Sequence, residues 1–178
     1  RVLFRSRQVF GVIHAPARGE TMVGGDDRPA TLNDAPLAPP PQAPRSHGAV
    51  GVGFHPSVPT PIRLDALRAV IDDLKLAFRC CGSATASLME LARGQVDGYL
   101  ACGDSTWDVM AALPILRQLG IGSSIDWSAT PLAAKLTYAC GTPGFLAACR
   151  PIVTQMARRA GAAGDRKSTR LNSRHVSE

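Results

Sequence analysis

The chain has 178 residues, of which 45% are apolar and only 5% aromatic, with 17 Gly and 14 Pro. That length fits one domain or a large part of one, and so many turn formers exclude a helical bundle or coiled coil. The net charge of +6, taken alone, points to nucleic acid or an acidic surface.

The distribution of that charge removes most of the argument. Residues 1–7 carry +3, residues 165–178 carry +2, and the 157 residues between them carry +1. No apolar run approaches the roughly 20 residues of a membrane helix. The charged start, Arg1 to Arg7, is not a secretory signal. Neither nucleic acid nor membrane is therefore an expected partner. The ends also read as foreign. The chain begins with Arg, and the tail from Arg166 to Glu178 resembles translated sequencing-adaptor read-through, as does Leu3-Phe4-Arg5-Ser6. Residues 1–7 are expected to be a non-native leader and residues 161–178 a non-native, disordered tail.

In chain order, residues 8–16 read as a strand stopped by Pro16, Ala17–Gly19 as a turn and Glu20–Val23 as the returning strand. Ala30–Leu32 adds a third strand, which makes an antiparallel meander. The proline-rich stretch 35–48 reads as an extended connector, and Ala49–Phe54 as a strand. Apolar residues at 64, 67, 70, 71 and 74 predict a helix over Leu64–Ala77, with a short extended stretch at 78–81. A helix follows over Ala84–Arg93, ended by Gly94, and then a strand over Val96–Cys102. Gly103-Asp104-Ser105-Thr106 is a turn rich in capping residues. A helix over about 107–119 should be kinked or shortened by Pro114. Strands are expected at 121–127 and 134–140. Thr142 caps a last helix running to about Arg159, with Pro143 at its first position. An antiparallel meander followed by alternating helices and strands is a layered α/β arrangement.

Stand-alone chemical motifs are missing: there is no P-loop, no GxGxxG, no HExxH and no GxSxG. His14, His47, His55 and His175 are scattered, and His14, in a strand, reads as structural. Cysteines at 80, 81, 102, 140 and 149 form no CxxC pair. They fit a reducing cytoplasm, with thiols buried as small hydrophobes. Asp108 stands out, at the first turn of a helix that follows a strand. From spacing alone, the plainer reading is an acid that complements the helix dipole.

The wider pattern changes that reading. Gly82-Ser83-Ala84, then Leu91-Ala-Arg-Gly94-Gln-Val-Asp97-Gly98-Tyr99, then Trp107-Asp108-Val-Met-Ala-Ala112 resembles the inositol monophosphatase family in content and order. Gly11-Val-Ile-His-Ala-Pro16, Arg18-Gly-Glu20-Thr21 and Ala30-Thr-Leu-Asn33 resemble that family's strand, hairpin and meander. The resemblance covers about residues 8–155. It implies an αβαβα-type sugar phosphatase fold, incomplete here, and a Mg²⁺-dependent, lithium-sensitive phosphatase of small phosphomonoesters. By the same resemblance Asp108 is a metal ligand, Gly82, Ser83 and Ala84 line the substrate pocket, and the complete protein can pair as a homodimer. An acidic residue that contacts inositol in some members aligns with Ala101. The family's Asp-Pro-x-Asp-Gly-Thr motif, which carries two further metal-binding aspartates, has no counterpart in this chain. The expectation is therefore that residues 8–160 form the C-terminal part of such a domain, and that the isolated chain is inactive and poorly soluble. A non-catalytic homologue used for binding or assembly is the alternative.

Overall fold

The computed structural model describes residues 8–41 and 48–174, with side chains up to residue 162. Residues 1–7, 42–47 with His47, and 175–178 with His175 lie outside the described residues.

Four strands form the first sheet: β1 (Phe10–Ala15), β2 (Glu20–Gly25), β3 (Arg28–Leu32) and β4 (Ala35–Pro36), antiparallel and in that order. The meander thus has one strand more than its sequence predicts. Asn33 and Asp34, both at positive φ, turn the chain into β4, and their short polar side chains make them suited to that conformation. Asn33 also holds the first hairpin. Its Oδ1 accepts from Thr21 N at 2.7 Å, and its Nδ2 donates to Gly19 O at 2.9 Å.

The second sheet is mixed, in the order β6-β5-β7-β9-β8. It contains β5 (Ala49–Phe54), β6 (Ala77–Arg79), β7 (Gly98–Ser105), β8 (Gly122–Ser123) and β9 (Lys135–Gly141). β5 runs parallel to β6 and β7, whereas β9 is antiparallel to β7 and β8. The strand expected over 121–127 shrinks to two residues. Asp126 diverts the chain, because its Oδ1 accepts from Ser128 N at 2.9 Å and Oγ at 2.6 Å, a local turn that competes with the ladder.

The helices are α1 (Thr60–Asp72), α2 (Ala84–Ala92), α3 (Thr106–Val109), α4 (Ala112–Gln118) and α5 (Pro143–Arg174). α1 begins and ends earlier than its apolar stripe predicts. Its buried face is Ile62, Ala66 and Val70, while Leu64 and Ile71 face out. A small Ala lets the helix sit close to the sheet, so the largest side chains do not mark the inner face. The helix read over 107–119 is broken at Met110–Ala111. Pro114 cannot donate to the Met110 carbonyl and its ring crowds that group, so the break falls one turn before the proline. α5 runs well beyond the end read near Arg159 and takes in residues 161–174, part of the expected disordered tail. Strong helix formers at Ala157, Ala160 and Ala162 carry it onward.

Two apolar cores sandwich the mixed sheet. Val50, Val52, Leu100, Cys102 and Ala139 pack against α1 and α5. Tyr99, Ala101, Leu136, Tyr138 and Cys140 face α2 and α4, whose other side carries the meander through Ile13, Met22 and Ala30. The order is meander, helices, mixed sheet, helices. All five cysteines are free, but only Cys102, Cys140 and Cys149 are buried. Cys80 and Cys81 are exposed, so the reading of buried thiols holds for three of them. Burial pushes the Cys149 thiol up to about 12 and Cys140 higher still, which leaves both inert.

Candidate active site

Every residue that the sequence marks for the site lines one cavity of about 320 Å³. Gly82, Ser83, Ala84 and Asp108 share its wall with Thr85, His55, Pro56, Cys80, Tyr99, Gly103 and Asp104. The elements converge for local reasons. Gly82, at φ +75, turns the chain out of the β6 region. Ser83 then caps α2, its Oγ accepting from Ala86 N at 3.3 Å. Thr85 Oγ1 donates to the Asp108 carbonyl at 2.7 Å and so ties the start of α2 to α3.

Asp108 is held at the start of α3 by one of its two carboxylate oxygens. Its Oδ2 accepts from Ser105 N at 2.8 Å, the acidic half of a capping box at the start of α3. Its other oxygen accepts no hydrogen bond from the described residues. Trp107 beside it is exposed, with the Lys135 ammonium 6.0 Å from its ring centroid. Lys135 Nζ also donates to Ser105 Oγ at 2.7 Å.

Asp104 is a second carboxylate in the cavity wall, one that the sequence alone presents only as part of a capping turn. β7 carries a bulge between Cys102 and Asp104: Cys102 pairs with Thr137, and Asp104 pairs with Leu136. The extra residue, Gly103, lies at φ +95. A regular strand would place Asp104 on the face of Leu100 and Cys102. The bulge turns it onto the opposite face, with Tyr99, Ala101 and Tyr138. Both tyrosine hydroxyls donate to Asp104 Oδ2 at 3.0 Å. The two rings meet edge to face, with centroids 5.8 Å apart. Burial and the Asp104 carboxylate push both tyrosines upward, so their hydroxyls stay protonated as donors. Burial also raises Asp104, against the lowering by the two tyrosine bonds; Asp108 raises it and Lys135 lowers it.

His14 is not part of this site. Its Nδ1 meets Thr21 Oγ1 at 2.9 Å across the β1–β2 hairpin, a structural contact. Another cavity, of about 550 Å³, lies between α5 and the ends of β7 and β9, lined by Cys102, Lys135, Thr137 and Ala157 among others.

As a metal site, the arrangement is partial. A carboxylate oxygen to spare suits a hard cation such as Mg²⁺. Among the described residues, however, no group of three or more His, Cys, Asp or Glu is placed to hold a metal ion. Asp108 can serve as one ligand, and the described residues do not complete a coordination shell. No helix among them is long and apolar enough to cross a membrane.

The layered fold recurs in solved structures of other proteins. The extragenic suppressor protein SuhB of Bartonella henselae superposes with a TM-score of 0.70 at 20% identity, over 82% of this chain and 56% of that one. In sequence, residues 2–170 match the model of the inositol monophosphatase family, and the chain belongs to that family. The match takes in residues 2–7 and 161–170, outside the 8–160 span read as the domain. Two curated relatives are similar to it. One is the Nus factor SuhB of Pasteurella multocida, 30% identical over 119 residues, 65% of this chain and 44% of that protein. The other is the inositol-1-monophosphatase of Synechocystis sp., 29% identical over 134 residues, 74% of this chain and 47% of that protein. The chain thus spans about half the length of the curated relatives it matches.

Proposed function

We propose that this chain is the C-terminal part of a Mg²⁺-dependent phosphatase that hydrolyses a small phosphomonoester, such as an inositol phosphate, in the cytoplasm. The observation that carries the reading is the convergence of Asp108 with Gly82, Ser83 and Ala84 on one cavity. In this reading Asp108 binds metal through its spare oxygen. Gly82, Ser83 and Ala84 line the substrate pocket at the start of α2, where backbone N–H groups suit an anion. A Mg²⁺ ion held by Asp108 together with further ligands would supply water activation and neutralisation of phosphate charge. The chain's own share is to hold one carboxylate at a fixed angle, through the Ser105 bond, and to shape the wall opposite it.

With one ligand, the isolated chain is expected to release no phosphate from inositol 1-phosphate when Mg²⁺ is added. Release that is lost in Asp108→Asn would refute this. In a longer protein that carries the upstream aspartates, Asp108→Asn should lower kcat/KM roughly a hundredfold or more. An unchanged rate there would sink the metal role. The similarity to a protein named as a Nus factor favours a second reading, a family member that acts by binding or assembly. An intact Asp-Pro-x-Asp-Gly-Thr motif in the upstream coding sequence, with phosphatase activity, would exclude it.

A further inference from the structure

We propose that Asp104 contacts the substrate: its Oδ1 accepts a hydrogen bond from a hydroxyl of the sugar or polyol that carries the phosphate. The proposal rests on the phosphatase reading for the phosphate itself, but the polyol contact has its own geometry. Three features support it. First, the β7 bulge with Gly103 at φ +95 moves Asp104 off the face of Cys102 and into the wall of the Asp108 cavity. Bulges commonly re-aim a side chain beside an active site.

Second, the carboxylate is fixed and only half used. Tyr99 and Tyr138 both donate to Oδ2 at 3.0 Å, while no described residue donates to Oδ1. Gly53 helps to set this geometry: a Cβ there would lie 2.1 Å from the Tyr99 hydroxyl. A carboxylate locked through one oxygen offers the other in a defined direction, at little ordering cost on binding. Third, a merely structural role does not need the charge. A neutral acceptor would satisfy two hydroxyl donors without the cost of burying a carboxylate. The nearby Lys135 ammonium is bonded to Ser105 rather than to Asp104. A cavity of about 320 Å³ takes a single ring polyol. In the same wall Ser83 Oγ is engaged as a helix cap and His55 Nδ1 with Ser57 Oγ at 2.7 Å, while the spare oxygen of Asp108 is the one assigned to metal.

Amide NMR titration of the 178-residue chain tests this, with myo-inositol as one probe and inorganic phosphate plus Mg²⁺ as the other. Inositol should shift the amides of Gly103, Asp104 and Ser83 to Thr85 saturably. In Asp104→Asn the side-chain carbonyl must serve the two tyrosines, which turns an NH₂ donor toward the cavity. Inositol affinity should then fall about tenfold or more, with phosphate binding unchanged. Equal inositol affinity in the variant, or no inositol shift at these amides in the parent chain, overturns the proposal. Inositol binding through Asp104, beside an unchanged kcat/KM in Asp108→Asn of the longer protein, would instead remove the phosphatase reading and leave the polyol contact standing. If Asp104→Asn does not fold, the parent chain still decides. Its Asp104 carboxyl carbon resonance should move on saturation with inositol and stay put with cyclohexanol, and a resonance that inositol leaves in place overturns the assignment.

Discussion

Asp104 and Asp108 lie four residues apart, yet different forces hold them. Asp108 is held by a backbone N–H at a helix start, a partner its sequence position supplies. Asp104 is held by two tyrosines from the body of the sheet, and burial pushes its carboxyl above the ordinary range. The folded chain therefore keeps this proton longer than the unfolded chain does. As pH rises from the ordinary aspartate value of about 3.9, the unfolded state releases its proton first. Stability falls with pH until the raised folded-state value is passed. Asp104→Asn should remove that part of the slope, and at neutral pH it should melt at least as high as the parent. Thermal melts of both proteins across the acid range check this. Identical slopes would mean that the carboxylate titrates normally.

At the scale of the element, most helices and strands follow from local pattern. α2 has its Ser83 cap and its terminal Gly94 in sequence, and Pro114 announces the break before α4. Where reading and structure part, a tertiary contact or a side-chain bond intervenes. Ala66 brings α1 close to the sheet and leaves Leu64 outside, and Asp126 ends β8 early. The β7 bulge is the main such case, and Gly103 is the residue that permits it. A Cβ at 103 would lie 2.5 Å from His55 Cβ, in a backbone conformation at φ +95 that side chains rarely adopt. Gly103→Ala should cost about 1–3 kcal/mol of unfolding free energy, read by urea denaturation. A variant as stable as the parent would mean that the bulge relaxes without strain.

For the whole molecule, the open face of the meander matters most. Phe10 and Val12, on the edge strand β1, are each about half exposed, at 50% and 49%, and Val9 beside them at 59%. An apolar strand edge that no described residue pairs with invites association between chains. The purified chain should therefore elute larger with rising concentration in size-exclusion chromatography, and Val12→Lys should shift it toward monomer. A parent chain that stays monomeric and melts cooperatively would count against this. The net charge of +6 plays little part here, since the body of the chain is nearly neutral.

Sequence alone determined the family, through the order of its weak motifs, and the positions of Gly82, Ser83, Ala84 and Asp108. Each of these depends on local signals: a capping residue, a turn glycine, a helix start. It could not determine which way Asp104 faces. Alternation along a strand assigns faces only while the register is constant, and one extra residue at Gly103 reverses the parity of everything after it. Only the pairing of β7 with β9 decided that Asp104 faces Tyr99, Tyr138 and the cavity rather than the core beneath α1 and α5.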